Sequence, residues 1–196
     1  MIGRRFAFAL PVALAVSGCG LNSVPTAEEN AKAKWADVQA AYQRRADLIP
    51  NLASTVRGAA ASERQILTEV TNARARATQV QVAPGDLTDQ NKVQQFANAQ
   101  AGLSAALIPL RQLQEAYPDL KSQANFATFM TQLEGTENRI NIAVRDYNEA
   151  VQKYNTTIRT FPDAIGAKII HGAKPMVPFQ AVTPGANQAP KVDFGA

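Results

Sequence analysis

The stretch "RRADLIPNLASTVRG", residues 44–58, decides the fold. Two arginines and an apolar pair lead into a proline, at a point where helical periodicity is already running. Either Pro50 ends one element, or it sits inside a longer one. Stepping alternately by three and four residues carries a heptad seam from Trp35 through Val38, Tyr42, Ile49, Leu52, Val56 and Val70 to Val80. Only Arg45 and Glu63 interrupt it. The phase does not shift at Pro50, whereas a turn there needs inserted residues and usually resets it. The proline lacks the N–H that would bond to the Ala46 carbonyl and costs about 3 kcal/mol in an isolated helix. Burial of a long seam can offset that cost. The pattern therefore predicts one helix over about 27–80, kinked near Pro50 and begun by a capping box with Thr26 as N-cap and Glu29 as its partner. A break at "GAAAS", residues 58–62, is the alternative, and it would split this element in two.

A second helix is predicted over about 89–116, with Val93, Phe96, Gln100, Leu103, Leu107 and Leu110 on its seam and another in-phase proline, Pro109. Tyr117 and Pro118 open the next turn, because the residue before a proline leaves the helical region. A third helix, over about 123–160, presents Phe126, Leu133, Ile140, Tyr147, Val151 and Tyr154 until Phe161-Pro162 ends it. Short connections between long amphipathic helices make neighbours antiparallel. The predicted fold is all-α, an antiparallel up-and-down bundle of three to four long helices.

The chain begins "MIGRRFAFALPVALAVSGCG", a charged start followed by an apolar run from Phe6 to Val16 and then small residues. This is a secretory leader, shorter than the roughly 20 apolar residues that a transmembrane helix needs. The sole cysteine, Cys19, follows Val16-Ser17-Gly18 and resembles the bacterial lipobox. The resemblance implies cleavage before Cys19, diacylglycerol on its sulfur and an acyl chain on its new amine. The alternative is a secreted chain with a stray thiol beside its cleavage site. Several acyl chains anchor a protein firmly where one holds it only marginally. Gly20, in place of the aspartate associated with inner-membrane retention, favours the outer membrane, with the protein facing the periplasm. The expected organisation is a signal peptide over 1–18, a short linker over 19–25, a helical domain over 26–172 and a proline- and glycine-rich strap and tail over 173–196.

The formal charge of +4 includes Arg4 and Arg5 in the leader and falls by two when it is removed. No dense basic run interleaved with aromatics follows, so composition gives nucleic-acid binding no support.

Several blocks carry more than periodicity. "RRADLIPNLASTVRG", "AYPDLKSQANF", "TENRI", "YNEAVQKYN" and the "FP" of Phe161-Pro162 resemble the signature blocks of the LemA family, in the family's order, over about Trp35 to Phe179. The resemblance implies an up-and-down four-helix bundle and a biochemical activity that is largely undefined. Members usually carry an N-terminal membrane-spanning helix. Here a lipobox stands in its place, which keeps a tether and puts in doubt any role that needs a transmembrane segment.

Residues able to do chemistry are few. Glu134 and Glu137 lie one turn apart, but bundle di-iron sites use Glu-x-x-His pairs, and the single histidine, His171, falls beyond the third helix. No nucleophile–base set or glycine-rich phosphate loop is present, so neither a cofactor nor a metal is expected. Arg45 and Glu63 on the first seam, with Thr136, Glu137 and Arg139 on the third helix, read as a polar layer that fixes helix register in preference to a ligand pocket. Tyr147-Asn148 and Tyr154-Asn155 are seven residues apart and share one face. They read as core tyrosines with local asparagine partners, the alternative being a partner-binding stripe. The end of the chain, "APKVDFGA", sets Val192 and Phe194 at alternate positions, which suits addition to the edge of a partner's sheet or an incidental disordered end. The functional expectation is a non-enzymatic, lipid-anchored envelope protein that displays a helical surface to membrane or periplasmic proteins. A module that takes a lipid or peptide between its helices is the alternative.

Overall fold

The computed structural model describes residues 3–59, 64–117 and 124–180. Helix α1 spans Gly3–Ala59, α2 Arg64–Gln79, α3 Gln90–Ala116, α4 Ala124–Thr157 and the short α5 Asp163–Ile169, with a single 3₁₀ turn at Pro84–Asp86. No strand occurs among the described residues. The bounds of α3 and α4 lie close to those predicted from their seams, and Pro109 lies within α3.

Pro50 also lies inside its helix, since α1 continues to Ala59. The chain does not run on in one direction to residue 80, however. The Arg74 Nε donates to the Ala46 carbonyl at 2.7 Å across 28 residues. In a single helix those groups would stand about 42 Å apart at 1.5 Å per residue. So α2 folds back on α1, and the one-helix reading is corrected. The reversal falls where the "GAAAS" break lies, and residues 60–63 are outside the described set. Its near-invisibility in the pattern has a numerical cause. Four residues are about one helical turn, so the seam stays in phase while the direction reverses.

The same bond shows how the proline is accommodated. Ala46 is the residue whose carbonyl would have received the N–H that Pro50 lacks. Arg74 supplies the missing donor from the neighbouring helix.

The predicted start signal is also corrected. Thr26 Oγ1 donates to the Asn22 carbonyl at 2.6 Å, four residues back. That is the bond of a threonine inside a helix and not of an N-cap.

Two compact units divide the structure. In one, made of residues 42–82, 91–138 and the chain from Phe179, α1, α2, α3 and α4 bury a common core that includes Ile49, Val56, Val70, Leu103, Phe126 and Leu133. Tyr42 meets Phe96 and Arg45 meets Gln100, so the contacts between α1 and α3 advance together and the two helices are parallel. In the other unit, made of residues up to 41, 83–90 and 139–178, Trp35 of α1 meets Tyr147 of α4, while Glu28 and Lys32, earlier on α1, act on Tyr154, later on α4. There α1 and α4 run antiparallel. These directions fit the up-and-down bundle.

Pro50 and Arg74 should therefore be energetically coupled. Arg74→Ala is expected to cost about 1 kcal/mol or more in the native background, as for a hydrogen bond with a charged donor. Pro50→Ala restores the helical N–H and should be neutral or stabilising, and in that background Arg74→Ala should cost less than half as much. A double-mutant cycle by urea denaturation measures the coupling.

Candidate functional site

Arg45 projects from α1 into the core, and its side chain is 1 % exposed. Burying a guanidinium costs several kcal/mol unless its donors are met. Here Nη1 donates to Ser104 Oγ at 2.8 Å and to Glu137 Oε1 at 3.1 Å. Nη2 donates to the Gln100 side-chain oxygen at 3.0 Å and to its backbone carbonyl at 3.2 Å. The Gln100 amide nitrogen then donates to the Ala77 carbonyl at 3.1 Å, which lies in the last turn of α2 and has no partner within that helix. The layer thus joins α1, α3 and α4 through Arg45 and reaches α2 through Gln100. The guanidinium carbon also lies 5.1 Å from the Tyr42 ring centroid, within range for a cation–π contact. Burial, aided by Glu137 and opposed by Arg45, pushes the Tyr42 hydroxyl up to about 12. It stays protonated at ordinary pH.

Sequence reasoning placed Arg45 and Glu137 in a polar layer, and the structure brings them together. Arg139 does not join. It is exposed, because residues two apart on a helix point to nearly opposite sides. Thr136 is buried, but its hydroxyl donates at 2.6 Å to the Leu133 carbonyl of its own helix. Glu63 lies outside the described residues. The two members that the sequence reading left out of the layer are Gln100 and Ser104. Gln100 was visible as the polar residue on the α3 seam, whereas Ser104 carries no periodic signal. Glu134 and His171 are both exposed, and the described residues contain no acid, histidine and cysteine cluster that could hold a metal.

The tyrosine–asparagine pairs serve a different purpose from the local pairing expected of them. Tyr147 Oη donates to the Val177 carbonyl at 2.9 Å, and Tyr154 Oη donates to the Lys174 carbonyl at 3.1 Å. Between these, Asn155 Nδ2 donates to the Met176 carbonyl at 2.8 Å while its Oδ1 accepts from the Met176 N–H at 2.9 Å. One side-chain amide thus occupies both polar groups of one backbone residue. Residues 173–178 have no regular structure, so their buried backbone groups need such partners. The Val177 N–H donates to the Leu87 carbonyl at 2.9 Å and ties the strap to the loop before α3. The partners of the tyrosine hydroxyls are strap carbonyls, not the adjacent asparagines, and Asn148 is half-buried on α4. Burial raises the hydroxyls of Tyr147 and Tyr154 above their ordinary range, which keeps both as donors. The Trp35 ring packs against that of Tyr147 in a tilted arrangement, with centroids 5.1 Å apart. Farther along, Phe179 packs at 6.0 Å from Tyr42 and 6.1 Å from Phe96. Val192 and Phe194 lie outside the described residues.

An all-helical bundle with an arginine-centred layer and a clasped strap is the structural class that the fold defines. Residues 34–194 match the model of the LemA family, and the chain belongs to that family. A search of curated proteins finds none that matches the chain.

Removing the guanidinium leaves the buried Gln100 side-chain oxygen without its donor and opens a cavity, so Arg45→Ala should destabilise the protein by about 3 kcal/mol or more. Glu137 is 33 % exposed and can be solvated, so Glu137→Gln should cost only about 1 kcal/mol. Chemical denaturation of both variants checks the ranking. Asn155→Ala removes both bonds to Met176 while leaving α4 intact. Hydrogen exchange at the Met176 amide should accelerate at least tenfold, with helical amides of α4 near residue 144 unchanged.

Proposed function

We propose that this LemA family protein is a lipid-anchored component of the bacterial envelope that works without catalysis, as a scaffold presenting its helices to membrane or periplasmic proteins. The observation that carries the reading is the position of the only cysteine, directly after Val16-Ser17-Gly18 at the end of a secretory leader. The protein is placed at the periplasmic face of a membrane, with the outer membrane favoured by Gly20. No helix among the described residues is long and apolar enough to cross a membrane, so the lipid is the anchor in this proposal. The use of the polar core supports a scaffold role. Arg45, Gln100 and Glu137 bond one another, and Tyr147, Tyr154 and Asn155 bond the strap. Within each unit these polar groups are spent on internal bonds, which supports a structural use for them.

Cys19→Ser should abolish incorporation of labelled palmitate and leave a soluble or uncleaved precursor. Undiminished labelling in that variant refutes the anchor. Crosslinking in intact membranes, followed by affinity purification, should return envelope proteins in a set that depends on the bundle. Native mass spectrometry separates this reading from a lipid- or peptide-binding module, because co-purified lipid or peptide would favour the module.

A further inference from the structure

The described residues expose six large apolar side chains, and four of them, Phe161, Ile165, Ile169 and Ile170, lie on or beside α5 at exposures of 77 %, 55 %, 77 % and 60 %. Scattered exposed apolar residues are ordinary, but a concentration of this kind marks an interaction surface. The opposite side of α5 is packed, with Ala167 only 2 % exposed. This short helix therefore rests on its own unit by one side and offers isoleucines on the other. The flanking charges are mainly basic. Arg159, Lys168 and Lys174 are exposed around it, and the one acid, Asp163, accepts a hydrogen bond from Ser23 Oγ at 2.7 Å. That bond also fixes where α5 lies. Ser23 is four residues after Cys19, about 6 Å of helix, so α5 sits beside the point at which the acyl chains would leave the protein.

We propose that α5 is a membrane-contacting element. Phe161, Ile165, Ile169 and Ile170 enter the interfacial zone of the bilayer, and Arg159, Lys168 and Lys174 meet the headgroups of anionic lipids. A single anchor at Cys19 leaves the bundle free to swing. A second contact through α5, whose Asp163 meets Ser23 one helical turn after Cys19, holds its unit against the surface. Its place near a membrane rests on the lipid anchor proposed above, so the test replaces that anchor with a chemical one.

The processed chain, Cys19–Ala196, can be coupled through its only thiol to a maleimide lipid in vesicles of phosphatidylglycerol and phosphatidylcholine with brominated acyl chains. Ile165→Trp should shift its emission to the blue and be quenched at least twofold. The buried Trp35 should be unaffected, as should a reporter at the exposed position Asn141→Trp. An Ile165→Trp signal no more quenched than that of Asn141→Trp overturns the proposal. Quenching of equal strength in vesicles of phosphatidylcholine alone overturns the headgroup contact. In the second arm, the processed Cys19→Ser chain is sedimented with untethered anionic vesicles. Replacing Phe161, Ile165, Ile169 and Ile170 together by serine should lower its bound fraction at least tenfold with helicity unchanged by circular dichroism. Retained binding by that variant overturns the idea. So does concentration-dependent self-association of the parent chain without vesicles that the serine variant lacks, since the surface then belongs to a second copy. Failed palmitate labelling of Cys19 with intact quenching would sink the lipid anchor and leave the α5 contact standing.

Discussion

A guanidinium that is 1 % exposed needs acceptors for its donors, and Arg45 has them for Nη1 and Nη2, while its buried Nε has none among the described residues. Arg45 meets them on two helices, and Gln100 passes the connection on to a third. Each acceptor is in reach at only one helix register. A slide of α3 by one turn would remove Ser104 and Gln100 together from the guanidinium, and a slide of α4 would remove Glu137. Apolar seams are far more permissive, because leucine against leucine packs acceptably in several alignments. The polar layer therefore favours one arrangement of an otherwise generic amphipathic bundle, at a cost in desolvation that includes the buried, unpartnered Nε of Arg45.

A related logic governs the irregular parts. Pro50 leaves one carbonyl without its helical donor, and Arg74 supplies a donor. The strap lacks secondary structure, and Tyr147, Tyr154 and Asn155 supply its backbone partners. In each case a side chain on a regular helix satisfies backbone that helical geometry cannot. These interactions explain why the family-like blocks "RRADLIPNLASTVRG" and "YNEAVQKYN" contain residues that helix propensity alone would not choose. The first block holds the buried arginine and the proline. The second holds the strap's partner residues Tyr147, Tyr154 and Asn155, and its Tyr147 also packs against Trp35.

The proposed membrane contact gives this rigidity a use. Two points of attachment beside Cys19 would limit how the unit that carries α5 turns against the membrane. A single flexible tether would leave that unit free to take many orientations. On this view the protein's contribution to its partners is geometric.

The sequence by itself determined the helical class, the buried faces of the helices and a set of polar-layer candidates that included Arg45 and Glu137. Those features are periodic, and the 3.6-residue repeat makes them local. The seam of α3 and α4 was legible to within a few residues, and Arg45 stood out as a charge on an apolar stripe. Chain direction was not legible between α1 and α2, because a reversal about one turn long preserves the phase. Which acceptors Arg45 uses, and that Tyr147 and Tyr154 donate to strap carbonyls 30 and 20 residues away, were decided only by tertiary structure. Hydrogen bonds between distant segments leave no period in a sequence. They exist only once packing has brought the partners to about 3 Å, and that distance is set by the tertiary fold.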